Sequence, residues 1–160
     1  MSLDRFHSAQ SAQSSGYASA LAEIRRGRKA SHWIWYIFPQ IDGLGRSSTA
    51  RAYALRDVAE AHAYLGDPTL RGRYEEIVAA VAKQLGCGVR LEELMGGSTD
   101  AMKVASSLTL FHAAAQRLAS EDPTLAALAE RCDAILKQTA AQGFGACAFT
   151  LRQISNASPK

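Results

Sequence analysis

Asp67-Pro68-Thr69-Leu70-Arg71-Gly72-Arg73-Tyr74-Glu75-Glu76-Ile77-Val78-Ala79-Ala80-Val81-Ala82-Lys83-Gln84-Leu85-Gly86 is the stretch on which the fold class turns. Leu70, Tyr74, Ile77, Val78, Val81 and Leu85 recur three and four positions apart, so an α-helix would gather them on one face. Pro68 suits the first helical position, where its missing N–H is not needed, and Gly86 and Gly88 supply the stop. The spacing predicts a helix of about 18 residues.

The same period continues on both sides. Upstream, Phe6, Tyr17, Ala20, Leu21 and Ile24 predict a first helix over residues 4 to 26, ended by Gly27. Residues Thr49 to Leu65 are helix-prone, with Asp57 as an N-cap that divides them, and Gly66-Asp67-Pro68 marks a turn. Downstream, after a short turn at Leu91 to Met95, Gly96-Gly97-Ser98-Thr99-Asp100 offers loop glycines and capping side chains before a helix carrying Val104, Leu108, Phe111, Ala115 and Leu118. Asp122-Pro123 opens the last helix, whose inner face is Leu125, Leu128, Ala129, Cys132, Ile135, Leu136 and Thr139 and whose end is Gly143 and Gly145. Alanine, the best helix former and a poor strand former, fills 30 of the 160 positions. The expected architecture is all-α: a single helical domain over residues 1–154, with about five main helices, one long ordered aromatic loop and a frayed tail over 155–160.

Composition excludes several classes. Hydrophobic residues at 48% and charged residues at 21% are those of a folded globular chain rather than a disordered one. No uninterrupted apolar run exceeds Trp33–Phe38, far short of the roughly 20 residues that cross a bilayer, and the N-terminus lacks the basic and apolar regions of a signal peptide. Cys87, Cys132 and Cys147 form an odd set with no close pair, which fits reduced thiols in a cytoplasm. His7, His32, His62 and His112 show none of the spacings that zinc sites use, so no metal and no cofactor is expected.

The segment Ser31-His32-Trp33-Ile34-Trp35-Tyr36-Ile37-Phe38-Pro39-Gln40 breaks the helical pattern and holds both tryptophans of the chain. With Gly43 and Gly45 it reads as an ordered loop, over residues 30 to 48, enclosing a short strand or helical turn. Large aromatics in such a loop either anchor it into the core or form the wall of a ligand pocket, where flat rings stack and polar tips orient the guest. Charge bears on the choice. Residues 25 to 56 carry Arg25, Arg26, Arg28, Lys29, Arg46, Arg51 and Arg56 against Asp42 alone, a window of +6 on a chain of +3. Cations at a helix C-terminus explain Arg25 to Lys29 locally, while a basic window on an otherwise acidic body points to an anionic partner. Lys103, near the start of a helix, opposes the dipole and is better placed beside an anion.

Phe6-x-x-Ala9-Gln10, Lys29-x-Ser31-His32-Trp33-Ile34-Trp35-Tyr36-Ile37-Phe38-Pro39-Gln40, Gly43-Leu44-Gly45-x-Ser47, Glu60-Ala61-x-Ala63-Tyr64-Leu65-x-x-Pro68-x-Leu70 and Asp100-Ala101-Met102-Lys103-x-x-Ser106-Ser107-Leu108-Thr109-Leu110-Phe111 carry a resemblance. The chain resembles the bacterial domain of unknown function 1810, sometimes labelled calpastatin, over nearly its whole length. That resemblance implies a helical cytosolic protein and brings no assigned catalytic residues with it. Asp100-Ala101-Met102-Lys103 is also similar to a helix of the NAD- and ADP-ribose-associated domains, although the second lysine of that pattern is replaced by Leu110.

Together these readings describe a cytoplasmic domain binding a small anionic ligand, nucleotide-, ADP-ribose- or sugar-phosphate-like, in a pocket lined by the aromatic loop 31–47. Trp33, Trp35 or Tyr36 would stack on it, Gln40 and Ser47 would orient it, and Arg46 and Lys103 would neutralise its charge. No complete catalytic signature is present, and His32 is the acid–base candidate if a reaction occurs. The competing class is a non-catalytic interaction module in which the loop anchors another protein or a second copy as a homodimer. Nucleic acid is disfavoured by the absence of any reader motif and a pI near 8.9.

Overall fold

A computed structural model describes residues 2–157 of the chain. Among the described residues it contains α1 (Asp4–Gln10), α2 (Tyr17–Arg26), α3 (Ile34–Ile37), α4 (Ser48–Tyr53), α5 (Val58–Gly66), α6 (Pro68–Gly86), α7 (Leu91–Met95), α8 (Ser98–Leu118), a 3-10 turn (Pro123–Leu125), α9 (Ala126–Ala140) and α10 (Ala148–Ala157). Over the described residues the fold is all-helical, and the helices number ten rather than about five. The difference has local causes.

The expected first helix is two. Ser15 adopts φ 59°, and a Cβ on Gly16 would stand 2.1 Å from the Ala12 carbonyl oxygen, so the chain turns tightly between α1 and α2. Serines at 11, 14 and 15 weaken helix there by competing for backbone hydrogen bonds. Asp57 does divide 49–65, accepting from Glu60 N at 3.0 Å as the cap of α5. The single turns α3, α4 and α7 are too short for a periodic signal and are held by the surfaces they pack on. α10 has no counterpart among the expected helices: the chain resumes helix after Gly145, and Ile154 and Thr150 pack inward from it. The expected tail over 155–160 therefore begins as helix through Ala157, and residues 158–160 lie outside the described residues.

α6 starts as its sequence requires, with Asp67 accepting from Thr69 N at 3.0 Å and Leu70 N at 3.1 Å ahead of Pro68. At the centre lies α8, in which every residue from Val104 to Phe111 is buried. Neighbours therefore cover all its sides, chiefly α9, α5, α7 and α10. Phe111 stacks 4.3 Å from Tyr74 and meets Tyr64 at 5.2 Å, and the Tyr74 hydroxyl shares a 3.0 Å hydrogen bond with Ser107. The start of α8 uses no side-chain cap: Gly97 is the N-cap, and Ser98, Thr99 and Asp100 form the first turn instead of preceding it. That frees the Asp100 carboxylate for another task. None of the described helices is long and apolar enough to cross a membrane.

Candidate functional site

Residues 28–41 leave α2, form the single turn α3 and close on a parallel bridge between Ile41 and Leu55. The bridge is made by Asp42 N donating to Leu55 O at 2.7 Å and Leu55 N to Gln40 O at 2.9 Å. The organiser of the segment is Glu23, a carboxylate only 5% exposed. Its Oε1 accepts from Ala30 N at 2.6 Å, Ser31 N at 2.9 Å and the Trp33 indole Nε1 at 2.9 Å, and its Oε2 accepts from Ser31 Oγ at 2.7 Å. Burial alone would push this carboxyl up; the donors from Ser31, Ala30 and Trp33 outweigh it and hold the group at about 2.

Trp33 is fully buried beneath Lys29, whose Nζ lies 4.9 Å from the indole centroid. The same ammonium donates to Ser31 O at 2.5 Å and pairs with Asp100 Oδ2 at 2.9 Å. Asp100 Oδ1 faces a second ammonium, Lys103 Nζ, at 3.3 Å, and that group sits 4.5 Å from the centroid of Trp35. One carboxylate thus stands between two lysines, each lying over one of the two tryptophans. Asp100 in the first turn of α8 is favoured by the helix dipole, and it is the anion beside which Lys103 becomes tolerable.

These groups open onto a cavity of about 300 Å³ lined by Lys29, His32, Ile34, Trp35, Tyr36, Ser47, Thr49, Asp100 and Lys103. Of the residues expected to hold a ligand, Trp35, Tyr36, Ser47 and Lys103 meet here together with the acid–base candidate His32. Three do not reach it. Trp33 has no exposed surface and serves as the floor under Lys29. Gln40 is 2% exposed, its amide donating to Phe38 O at 2.8 Å and Lys103 O at 2.6 Å, so it ties the segment to α8. Arg46 is exposed next to Ser47 and does not line the cavity. Of the basic window only Lys29 turns inward; Arg25 pairs with Glu76 at 3.6 Å.

The lining is fixed from behind. The Tyr36 hydroxyl donates to Ser15 O at 2.5 Å, with His32 O at 3.1 Å as a second neighbour, and burial pushes the phenol up. Ser47 Oγ accepts from Ala50 N at 3.0 Å as the cap of α4, which leaves its own hydroxyl hydrogen free to point elsewhere. Glu23, Lys29, Thr49 and Asp100 are the members that sequence reasoning passed over. Lys29 and Asp100 each had a sufficient local explanation, a helix C-terminus and a helix start. Their ion pair joins positions 71 residues apart, which no local spacing reveals.

The family model described as a protein of unknown function, DUF1810, matches residues 1–141. The chain belongs to the DUF1810 family. The DUF1810 fold seen here is similar to the crystal structure of the conserved hypothetical protein Rv1873 from Mycobacterium tuberculosis, with 33% identity, a TM-score of 0.80 and 96% of each chain covered. No curated protein matches the chain. All residues lining the DUF1810 cavity fall within the family-matched segment.

Proposed function

We propose that this DUF1810 protein binds a small anionic ligand, of the mononucleotide or sugar-phosphate class, in the cavity between α3, α4 and the start of α8. The observation that carries the reading is the surplus cation: two ammonium groups converge there on a single carboxylate. Lys29 is committed, with Ser31 O, Asp100 and the Trp33 face occupying its three N–H directions. Lys103 makes one long contact to Asp100 and keeps donors for a guest. Around it stand the Trp35 indole, the Tyr36 ring, the Ser47 and Thr49 hydroxyls and the exposed His32 imidazole, a mixture suited to a phosphate attached to a sugar or ring. The volume is at the small end of ligand pockets, roughly 300 to 1,000 Å³, which favours a monophosphate over an entire ADP-ribose.

The interaction-module alternative needs the loop aromatics on an exposed patch. Trp33 and Phe38 are fully buried, and Trp35 and Tyr36 are half-buried, which weighs against that use of the segment.

The test is thermal shift followed by calorimetric titration with inorganic phosphate, ribose 5-phosphate and AMP. At a hundredfold excess over Kd, a ligand adds about 2.7 kcal/mol of stability. Lys103→Met keeps the aliphatic contact with Trp35 and removes the charge, so Kd should rise about tenfold or more with little loss of stability. Arg46→Ala should change affinity only about twofold, and only at low salt. Absence of binding by all three probes, or wild-type affinity in Lys103→Met, would overturn the proposal.

A further inference from the structure

The three thiols of the chain occupy three electrostatic settings. Cys132 is fully buried in α9, and burial pushes its thiol up to about 12. Cys87 is exposed at the C-cap of α6, where the carbonyl end of the helix dipole disfavours a thiolate. Cys147 is half-buried and immediately precedes α10, its carbonyl accepting from Leu151 N at 3.0 Å. Its own N–H donates at 3.0 Å to Thr109 Oγ1 on α8, and that hydroxyl is itself anchored to Ala105 O at 2.7 Å. The capping residue is therefore pinned to the most buried helix of the molecule.

In the first turn of α10 the Phe149 and Thr150 amides adjoin the thiol, with the Ser106 and Thr150 side chains as further neighbours. Ser106 Oγ already donates to Met102 O at 3.0 Å. Thr150 Oγ1 is different: it is fully buried, belongs to the first turn of α10 beside the thiol and has no hydrogen-bond partner. A buried hydroxyl normally has such a partner, and leaving it without one costs about 1–3 kcal/mol. Burial would raise the Cys147 thiol; the polar groups around it, the Phe149 and Thr150 amides among them, outweigh it and hold the group below the ordinary thiol value.

We propose that Cys147 is a peroxide-oxidised site, with the N-terminus of α10 and the orphan Thr150 hydroxyl forming the cradle for a sulfenate oxygen. In the reaction the Cys147 thiolate attacks one oxygen of hydrogen peroxide, a sulfur–oxygen bond forms and the oxygen–oxygen bond breaks. Hydroxide leaves and takes a solvent proton to become water; sulfur is oxidised by two electrons and peroxide is reduced. The new oxygen is the acceptor that Thr150 Oγ1 lacks, and the amides of Phe149 and Thr150 share its negative charge. None of these residues lines the proposed ligand cavity, so the two proposals stand or fall separately.

The experiment treats the full chain with one equivalent of hydrogen peroxide at pH 7, traps sulfenic acid with dimedone and reads each cysteine by peptide mass spectrometry. Cys147 should label several-fold faster than the more exposed Cys87, and Cys132 should not label. Thr150→Val keeps the shape and removes the hydroxyl. Labelling at Cys147 should then fall about three- to tenfold, because the lost thiolate population is partly offset by higher nucleophilicity. Cys87 should be unchanged, and labelling of Cys132 would report any unfolding of the variant. Cys87 labelling as fast as Cys147 in the wild type refutes the proposal without reference to the variant; so does an unchanged Cys147 rate in folded Thr150→Val.

Discussion

Replacing Glu23 with Gln removes one charge from the interior and converts two of its acceptor positions into donors. Four N–H and O–H groups, from Ala30, Ser31 and Trp33, converge on the carboxylate within 2.6 to 2.9 Å, so the Gln amide would meet donors with a donor. The size of the effect follows from proton affinity. The folded carboxyl sits at about 2 against an ordinary 4.5, and at about 1.4 kcal/mol per factor of ten this corresponds to roughly 3 kcal/mol of stability. Since the folded value is the lower one, the contribution is fully present above pH 4.5 and is lost as pH falls towards 2. Urea unfolding of wild type and Glu23→Gln between pH 2 and 7, followed by tryptophan fluorescence, should therefore show a gap of about 3 kcal/mol at neutral pH that closes in acid. A gap of the same size at every pH would mean that the change acts through shape alone. A variant as stable as wild type at pH 7 would show that the four donors do not depend on the carboxylate.

Two further changes probe neighbouring structure. A Cβ on Gly45 would stand 2.6 Å from the Ala50 Cβ and 2.7 Å from the rim of the Trp35 ring, so Gly45→Ala should destabilise by about 1–3 kcal/mol and lower Tm by several degrees in calorimetry. Burial, reinforced by the positive charge of Arg117, lowers the His62 pKa below its ordinary 6.5, with Glu121 and Asp57 opposing. The unfolded chain then binds this proton more readily, so stability should decline as pH falls below 6.5, and His62→Gln should flatten that limb in pH-dependent melting.

Helix class, the extent of α6 and the capping role of Asp57 were legible because each is written within a few turns of chain: an apolar stripe, a Pro at the first position, a carboxylate before a helix. The aromatic segment declared itself by composition, and Trp35, Tyr36, Ser47, Lys103 and His32 do meet at one cavity. What escaped was tertiary. Trp33 and Trp35 look alike in sequence, yet one is a buried floor bonded to Glu23 and the other a cavity wall. Trp33 caps the single turn that contains Trp35, in a segment too irregular for a face to be assigned. Gln40 reads as a polar tip and is in fact a strut to Lys103 O. α10 lacked a stripe long enough to read, its inward residues being as unlike as Thr150 and Ile154.

The bridge between Ile41 and Leu55 gives one wall of the cavity its own attachment to the fold. It fastens both ends of the excursion from Asp42 to Ala54 at one point, while Gly45, Ala50 and Tyr53 pack the excursion between them onto Trp35 and Tyr36 and leave Ser47 and Thr49 exposed. Within the excursion lie Ser47 and Thr49, while Lys29, Asp100 and Lys103 belong to the stem and to α8. Loops closed at a fixed base accept insertions and sequence change far more readily than the elements that carry them. Exchanging the exposed hydroxyls of Ser47 and Thr49 would therefore change the rim of the cavity without disturbing the paired lysines on its other side.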